Sequence, residues 1–142
     1  LVLSSGSNRG PDHTLSWWQE ILQLRHAIDG LSRSGRILEL SCGTTLWTEQ
    51  LARYDKALTA IDTFSEVLAL NRVRSGTVHY QQCDIFQWEP AELYDFIFFG
   101  LWLSHVPPSR VDAFWQKLRT ALAPGRGVLC RRLFRCGPSP GD

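Results

Sequence analysis

Methionine is absent from the whole chain of 142 residues, position 1 included, so the natural start is expected to be missing or processed. Cysteine is scarce: four in all, at 42, 83, 130 and 136, with no CxxC pair and no Cys/His cluster at zinc spacing. That pattern offers no metal site and no dithiol redox motif. It suits reduced structural thiols, and Cys42 and Cys83 each follow an apolar run where a small buried thiol fits. Long hydrophobic runs are missing too. The longest, FIFFGLWL at 96–103, has eight residues, whereas a bilayer span needs about 20. No basic segment leading into an apolar one opens the chain, so secretion is not expected and a cytoplasmic location is. Nor does one sign of charge dominate: 15 basic residues stand against 14 acidic ones, a formal net charge of +1. Without a basic excess, no field draws the chain to nucleic acid or to an anionic membrane.

What is there reads as one globular domain. A content of 44% hydrophobic and 20% charged residues over 142 positions supports a single core. Residues 1–13, rich in Ser and Gly, read as a flexible leader. From Thr14 the spacing of Leu15, Trp18, Ile21, Leu22, Arg25, Ile28 and Leu31 predicts an amphipathic helix, with Ser16 and Gln19 in capping-box register. An alternation follows: strands at 37–40, 57–61, 78–82 and 94–99, helices at 47–54, 65–74 and 110–122, a PGRG turn, and a fifth strand over 127–133. Strand and helix alternating in this way predict βαβ units with right-handed crossovers. The fold class is therefore α/β: a doubly wound, mostly parallel, Rossmann-like sheet of about five strands in order 3-2-1-4-5. The core is placed at 14–134, with 135–142 an irregular tail.

In such a sheet, ligands bind beyond the carboxyl ends of the strands. There the sequence puts Glu39 and the Ser41–Thr45 loop after strand one, Asp62 at the end of strand two, and Asp84 after strand three. Strand four leads into Gly100, Trp102 and His105. Glu39, Asp62 and Asp84 are separated by 23 and 22 residues, one per βα unit. A carboxylate ending strand two can accept hydrogen bonds from both hydroxyls of a ribose. The helix starting near Trp47 turns its positive end toward the same edge. Each Asp could equally be a turn or capping residue. His105 could be a structural contact before VPP, and Trp102 a packing residue.

Four segments in order, ILELSCGTTLWTEQLA, LTAIDTFSEVLALNR, VHYQQCDIFQWEP and YDFIFFGLWLSHVPPSRVDAFWQKLRTALAPG, resemble a class I S-adenosylmethionine-dependent methyltransferase over residues 15–128. The resemblance implies the fold above, S-adenosyl-L-methionine as cofactor and methyl transfer to a small-molecule acceptor. Its first motif falls on Glu39, Ser41, Gly43 and Thr45, along the methionine part of the cofactor. The ribose acid matches Asp62, with Thr63 beside it. The adenine contact matches Asp84 and the N–H of Ile85. The segment passing the methionine amino group matches Phe99 and Gly100. Trp102 faces the substrate, and His105 lies where many small-molecule members have a histidine, the candidate general base.

The chain also departs from that family. Ser41 and Thr45 replace the first and last glycines of the motif. A serine is tolerated at the first if φ stays negative, whereas β-branched Thr45 resists φ > 0. The start carries no aromatic lid segment, and the usual last antiparallel strand pair is not evident. A chain truncated at both ends is thus expected, with an open sheet edge that invites homo-oligomer pairing. Two alternatives remain: a truncated, non-catalytic Rossmann fragment that binds cofactor weakly or not at all, and an NAD-dependent oxidoreductase. The second needs G-x-G-x-x-G, where this chain has Ser41, Gly43 and Leu46.

Overall fold

The computed structural model describes residues 19, 21–23, 25–26, 28–29, 35–43, 46–53, 57–100 and 102–130. Five strands, β1 (Ile37–Leu40), β2 (Leu58–Asp62), β3 (His79–Gln82), β4 (Tyr94–Phe99) and β5 (Leu122–Cys130), form one sheet in the order β3-β2-β1-β4-β5. Every pairing is parallel. Three helices connect them: α1 (Leu46–Ala52), α2 (Ser65–Arg74) and α3 (Val111–Ala121). This is the doubly wound order anticipated above.

The strands read as near-continuous apolar runs because both faces of the sheet are covered. On one face Leu38, Leu40, Ile61, Ile97 and Phe99 pack with Ile85, Trp88 and the Phe114–Leu118–Ala121 stripe of α3. On the other, Leu58, Ala60, Tyr80, Phe96 and Phe98 meet Leu51 of α1, Leu68 of α2 and Ile28. Residues 19, 21–23, 25–26 and 28–29 are helical where the amphipathic spacing predicted a helix. Its Ile21 and Ile28 are buried while Leu22 is half exposed. Gln50 Nε2 of α1 donates to Asp29 Oδ1 at 3.1 Å and ties that segment to the sandwich.

One boundary differs from the sequence reading by more than two residues. β5 begins at Leu122, directly after α3, and the PGRG stretch lies inside it as a bulge: Tyr94 pairs with Leu122, but Phe96 pairs with Gly127. Gly125 takes φ +75 there, and a proline is tolerated because bulged residues leave the ladder. The strand ends expected at 131–133, the 1–13 leader and the 135–142 tail lie outside the described residues. At the amino-terminal edge of the sheet, the Asp95 carboxylate accepts the Arg36 N–H at 2.8 Å and pairs with Arg126 Nε at 3.2 Å, pinning β1, β4 and β5 together. No helix among the described residues is long and apolar enough to cross a membrane.

Candidate functional site

The register decides which chain ends lie side by side. Leu40 is level with Ile61 and with Phe99, and Asp62 with Gln82. Ser41, Asp62, Cys83 and Gly100 therefore emerge next to one another at the carboxyl edge. Between β1 and α1 the backbone bends sharply: Ser41 and Gly43 both have φ +54. The negative φ that would make a serine costless does not hold, and Ser41 occupies the left-handed region that glycine favours. Among the described residues a Cβ at Gly43 would meet nothing within 4 Å, so with respect to them the loop faces open space. Thr45 lies outside the described residues.

Three hydrogen bonds hold the bend. Cys42 N–H donates to Ile61 O at 3.1 Å. Gly43 N–H donates to Asp62 Oδ2 at 3.1 Å. Asn71 Nδ2 of α2 donates to Gly43 O at 2.8 Å. The other oxygen of Asp62 accepts the Phe64 N–H at 3.0 Å. Asp62 is thus a turn residue as well as a site candidate, but each carboxylate oxygen keeps a further lone pair for a ligand hydroxyl.

Glu39, one residue short of the end of β1, is buried with 1% exposure. It accepts a hydrogen bond from Thr48 Oγ1 of α1 at 2.7 Å. Burial in this low-dielectric position raises its carboxyl to about 8, the Thr48 bond opposing and the Asp62 charge adding to the shift. The same burial, with Glu39 and Asp62 nearby, pushes the Cys42 thiol up to about 12, so it stays protonated. Cys42, buried, and Cys83, half-buried, are free thiols. No group of residues suited to a metal occurs among the described residues.

The third carboxylate, Asp84, is exposed and opens a turn: its Oδ1 accepts the Phe86 N–H at 2.9 Å, and its carbonyl accepts the Trp88 N–H at 2.8 Å. Ile85 is buried in the core, whereas Thr63 is exposed and its carbonyl accepts from Gln82 Nε2 at 3.1 Å. The Phe99 side chain is spent on packing, 5.4 Å from the Phe114 ring, so only its backbone can meet a ligand. Gly100 sits beside the indole of Trp47 at 3.8 Å from the position of a Cβ. Trp102 begins a short 3-10 turn ending at His105. Its ring lies 5.5 Å from Phe86, and its Nε1 is buried with no hydrogen-bond partner among the described residues, while His105 is exposed.

Sequence reasoning brought Glu39, Ser41, Gly43, Asp62, Thr63, Asp84 and Gly100 to one edge, and the strand register places them there. It missed the residues behind the edge: Thr48, Asn71 and Tyr80. Thr48 and Asn71 each lie three residues from a buried leucine of their own helix, Leu51 and Leu68. A polar side chain on the buried stripe was the available signal.

A parallel sheet in the order 3-2-1-4-5 with a bent βα loop and carboxylates at the ends of its first three strands defines a Rossmann-like, nucleoside-binding α/β domain. The family model described as a methyltransferase domain matches residues 37–125, more than half of the chain. The chain belongs to that family, the class I methyltransferases, whose cofactor is S-adenosyl-L-methionine. Among solved structures, the DhpI-SAM-HEP complex is 34% identical, with a TM-score of 0.70 over 82% of this chain and 56% of that one. The DhpI-SAH complex is 33% identical, with a TM-score of 0.74 over 87% of this chain and 61% of that one. The present chain thus spans less than two thirds of those relatives. The N-methyltransferase NodS from Bradyrhizobium japonicum WM9, 24% identical over 82% of this chain and 67% of that one, shares the fold with a TM-score of 0.68. No curated protein sequence matches this chain.

Proposed function

We propose that this chain binds S-adenosyl-L-methionine across the carboxyl edge of β1, β2 and β3 and transfers its methyl group to a small-molecule acceptor. One observation carries the reading: the open Ser41–Gly43 bend and the Asp62 carboxylate are bonded to each other at the switch point of a 3-2-1-4-5 sheet. The residues fit the cofactor. Asp62 has lone pairs for ribose hydroxyls, and exposed Asp84 suits the adenine amine. The space over Gly43 takes the methionine chain, with Glu39 beneath the loop and the backbone of Phe99 and Gly100 at its far end. Asp62 and Asp84, two carboxylates without a salt bridge among the described residues, also favour a cationic ligand.

The cofactor supplies an activated methyl group, and the protein's part is alignment and exclusion of water. Trp102 offers an aromatic face to the acceptor, and a ring nitrogen of His105 takes the proton that a hydroxyl or amine acceptor loses. Among the described residues β5 is paired on one side only, and we assign self-association to that edge.

Calorimetric titration with S-adenosylhomocysteine, NAD serving as control, tests the proposal. Micromolar binding of the first alone is expected, weakened roughly 100-fold by Asp62→Ala, since two charge-assisted hydrogen bonds are lost. Asp84→Ala should weaken it less, because exposed Asp84 competes with water. A chain that binds neither ligand at millimolar concentration would be a folded Rossmann fragment without turnover. NAD binding alone would favour the oxidoreductase.

A further inference from the structure

Asn71 sits in the second half of α2 with no exposed surface. Asparagine is a poor helix former, and a buried amide is costly unless fully bonded. Here it is only partly bonded. Nδ2 donates to Gly43 O at 2.8 Å and lies 3.4 Å from Cys42 Sγ, while Oδ1 is buried with no partner among the described residues. A residue kept for packing alone would be better served by leucine. The amide is also anchored from behind: its own carbonyl accepts the Tyr80 hydroxyl at 3.1 Å and the Ser75 N–H at 2.8 Å. Gly43 is therefore gripped on both sides of its α-carbon, its N–H by Asp62 of β2 and its carbonyl by Asn71 of α2.

We propose that Asn71 is a positioning residue for the cofactor: from beneath the loop it fixes the Gly43 peptide in the one orientation that leaves room for the amino-acid end of the ligand. The inference rests on the cofactor reading above. Freed from Asn71, the peptide after Gly43 can rotate, because a glycine without Cβ leaves ψ as well as φ widely open. Its carbonyl would then swing toward the open space over the loop. Adenosine, held by Asp62 and Asp84, does not need that space. The amino-acid end of S-adenosylhomocysteine does.

The test compares the affinities of S-adenosylhomocysteine and adenosine by calorimetry in the wild type, in Asn71→Leu and in Asn71→Ser. Leucine keeps the volume without the donor, and serine keeps a hydroxyl too short to reach Gly43. Val78→Ala, on the same face of the sheet but with no hydrogen bond to the loop, controls for general loss of stability. The expected result is about a tenfold loss for S-adenosylhomocysteine with less than a twofold loss for adenosine, the scale of one hydrogen bond. Equal losses for both ligands, or a fall in Tm with both affinities intact, would overturn the proposal and leave the cofactor reading standing. Should Asn71→Leu fail to fold, Asn71→Ser gives the same ratio. A wild-type chain that binds S-adenosylhomocysteine no better than adenosine would overturn both readings.

Discussion

Replacing Glu39 by glutamine should remove a pH dependence that the buried carboxyl imposes on folding. In the folded chain its pKa is raised from 4.5 to about 8, chiefly by burial. The folded state therefore holds a proton that the unfolded chain has released, and between these two values stability must fall as pH rises. The contribution is fully present below pH 4.5, amounts there to about 5 kcal/mol, and is gone above pH 8. Between pH 6 and pH 8 it falls by about 2 kcal/mol. Glutamine reproduces the protonated form: it is nearly isosteric, stays neutral, and its oxygen can still accept from Thr48 Oγ1. Urea unfolding of both proteins from pH 6 to pH 9, at constant m, gives the difference directly, and every other titrating group cancels. Glu39→Gln should gain on the wild type with rising pH, by about 1 kcal/mol per unit near neutrality. Parallel curves would mean that Glu39 is ionised in the folded chain and that the burial argument is wrong.

Gly35→Ala should lower the unfolding free energy by about 2–3 kcal/mol, read as a lower urea midpoint at unchanged m. Gly35 has φ +130, and a methyl group there would fall on the Asp95 carboxylate that bonds Arg36 and Arg126. His105→Ala should lower kcat by about a hundredfold or more for a hydroxyl acceptor while leaving the dissociation constant of S-adenosylhomocysteine unchanged. Equal kcat in the two proteins would remove His105 from the chemistry.

Which parts of this arrangement the sequence disclosed follows from what periodicity can report. Tyr94–Phe99 and Ser65–Arg74 were placed to the residue, since an unbroken apolar run and a helical stripe mark buried elements directly. β5 was started too late because PGRG signals a turn. That signal is sound, but the turn residues form a bulge within the strand, and only pairing with β4 shows it. Asp62 and Asp84 were legible because each ends an apolar run, although both also bond the N–H two residues on. Asn71 was not legible. Its importance depends on Gly43, 28 positions away, and a long-range hydrogen bond leaves no local trace.

Ser41 shows why the glycine count of such a loop is a weak guide to what the loop can do. A serine at φ +54 costs about 1–2 kcal/mol relative to glycine. Against that stand the bonds from Cys42 N–H to Ile61 O, from Gly43 N–H to Asp62 Oδ2, and from Asn71 Nδ2 to Gly43 O. At about 1 kcal/mol each, they offset the strain. Glycine at this position would relax the folded loop but also enlarge the unfolded ensemble, so its net gain is smaller than the strain suggests. The bend can thus survive with a single glycine at Gly43, provided that neighbouring elements over-determine it. The conformation depends less on residues 41–43 themselves than on the strand end, the carboxylate and the helix amide that grip them.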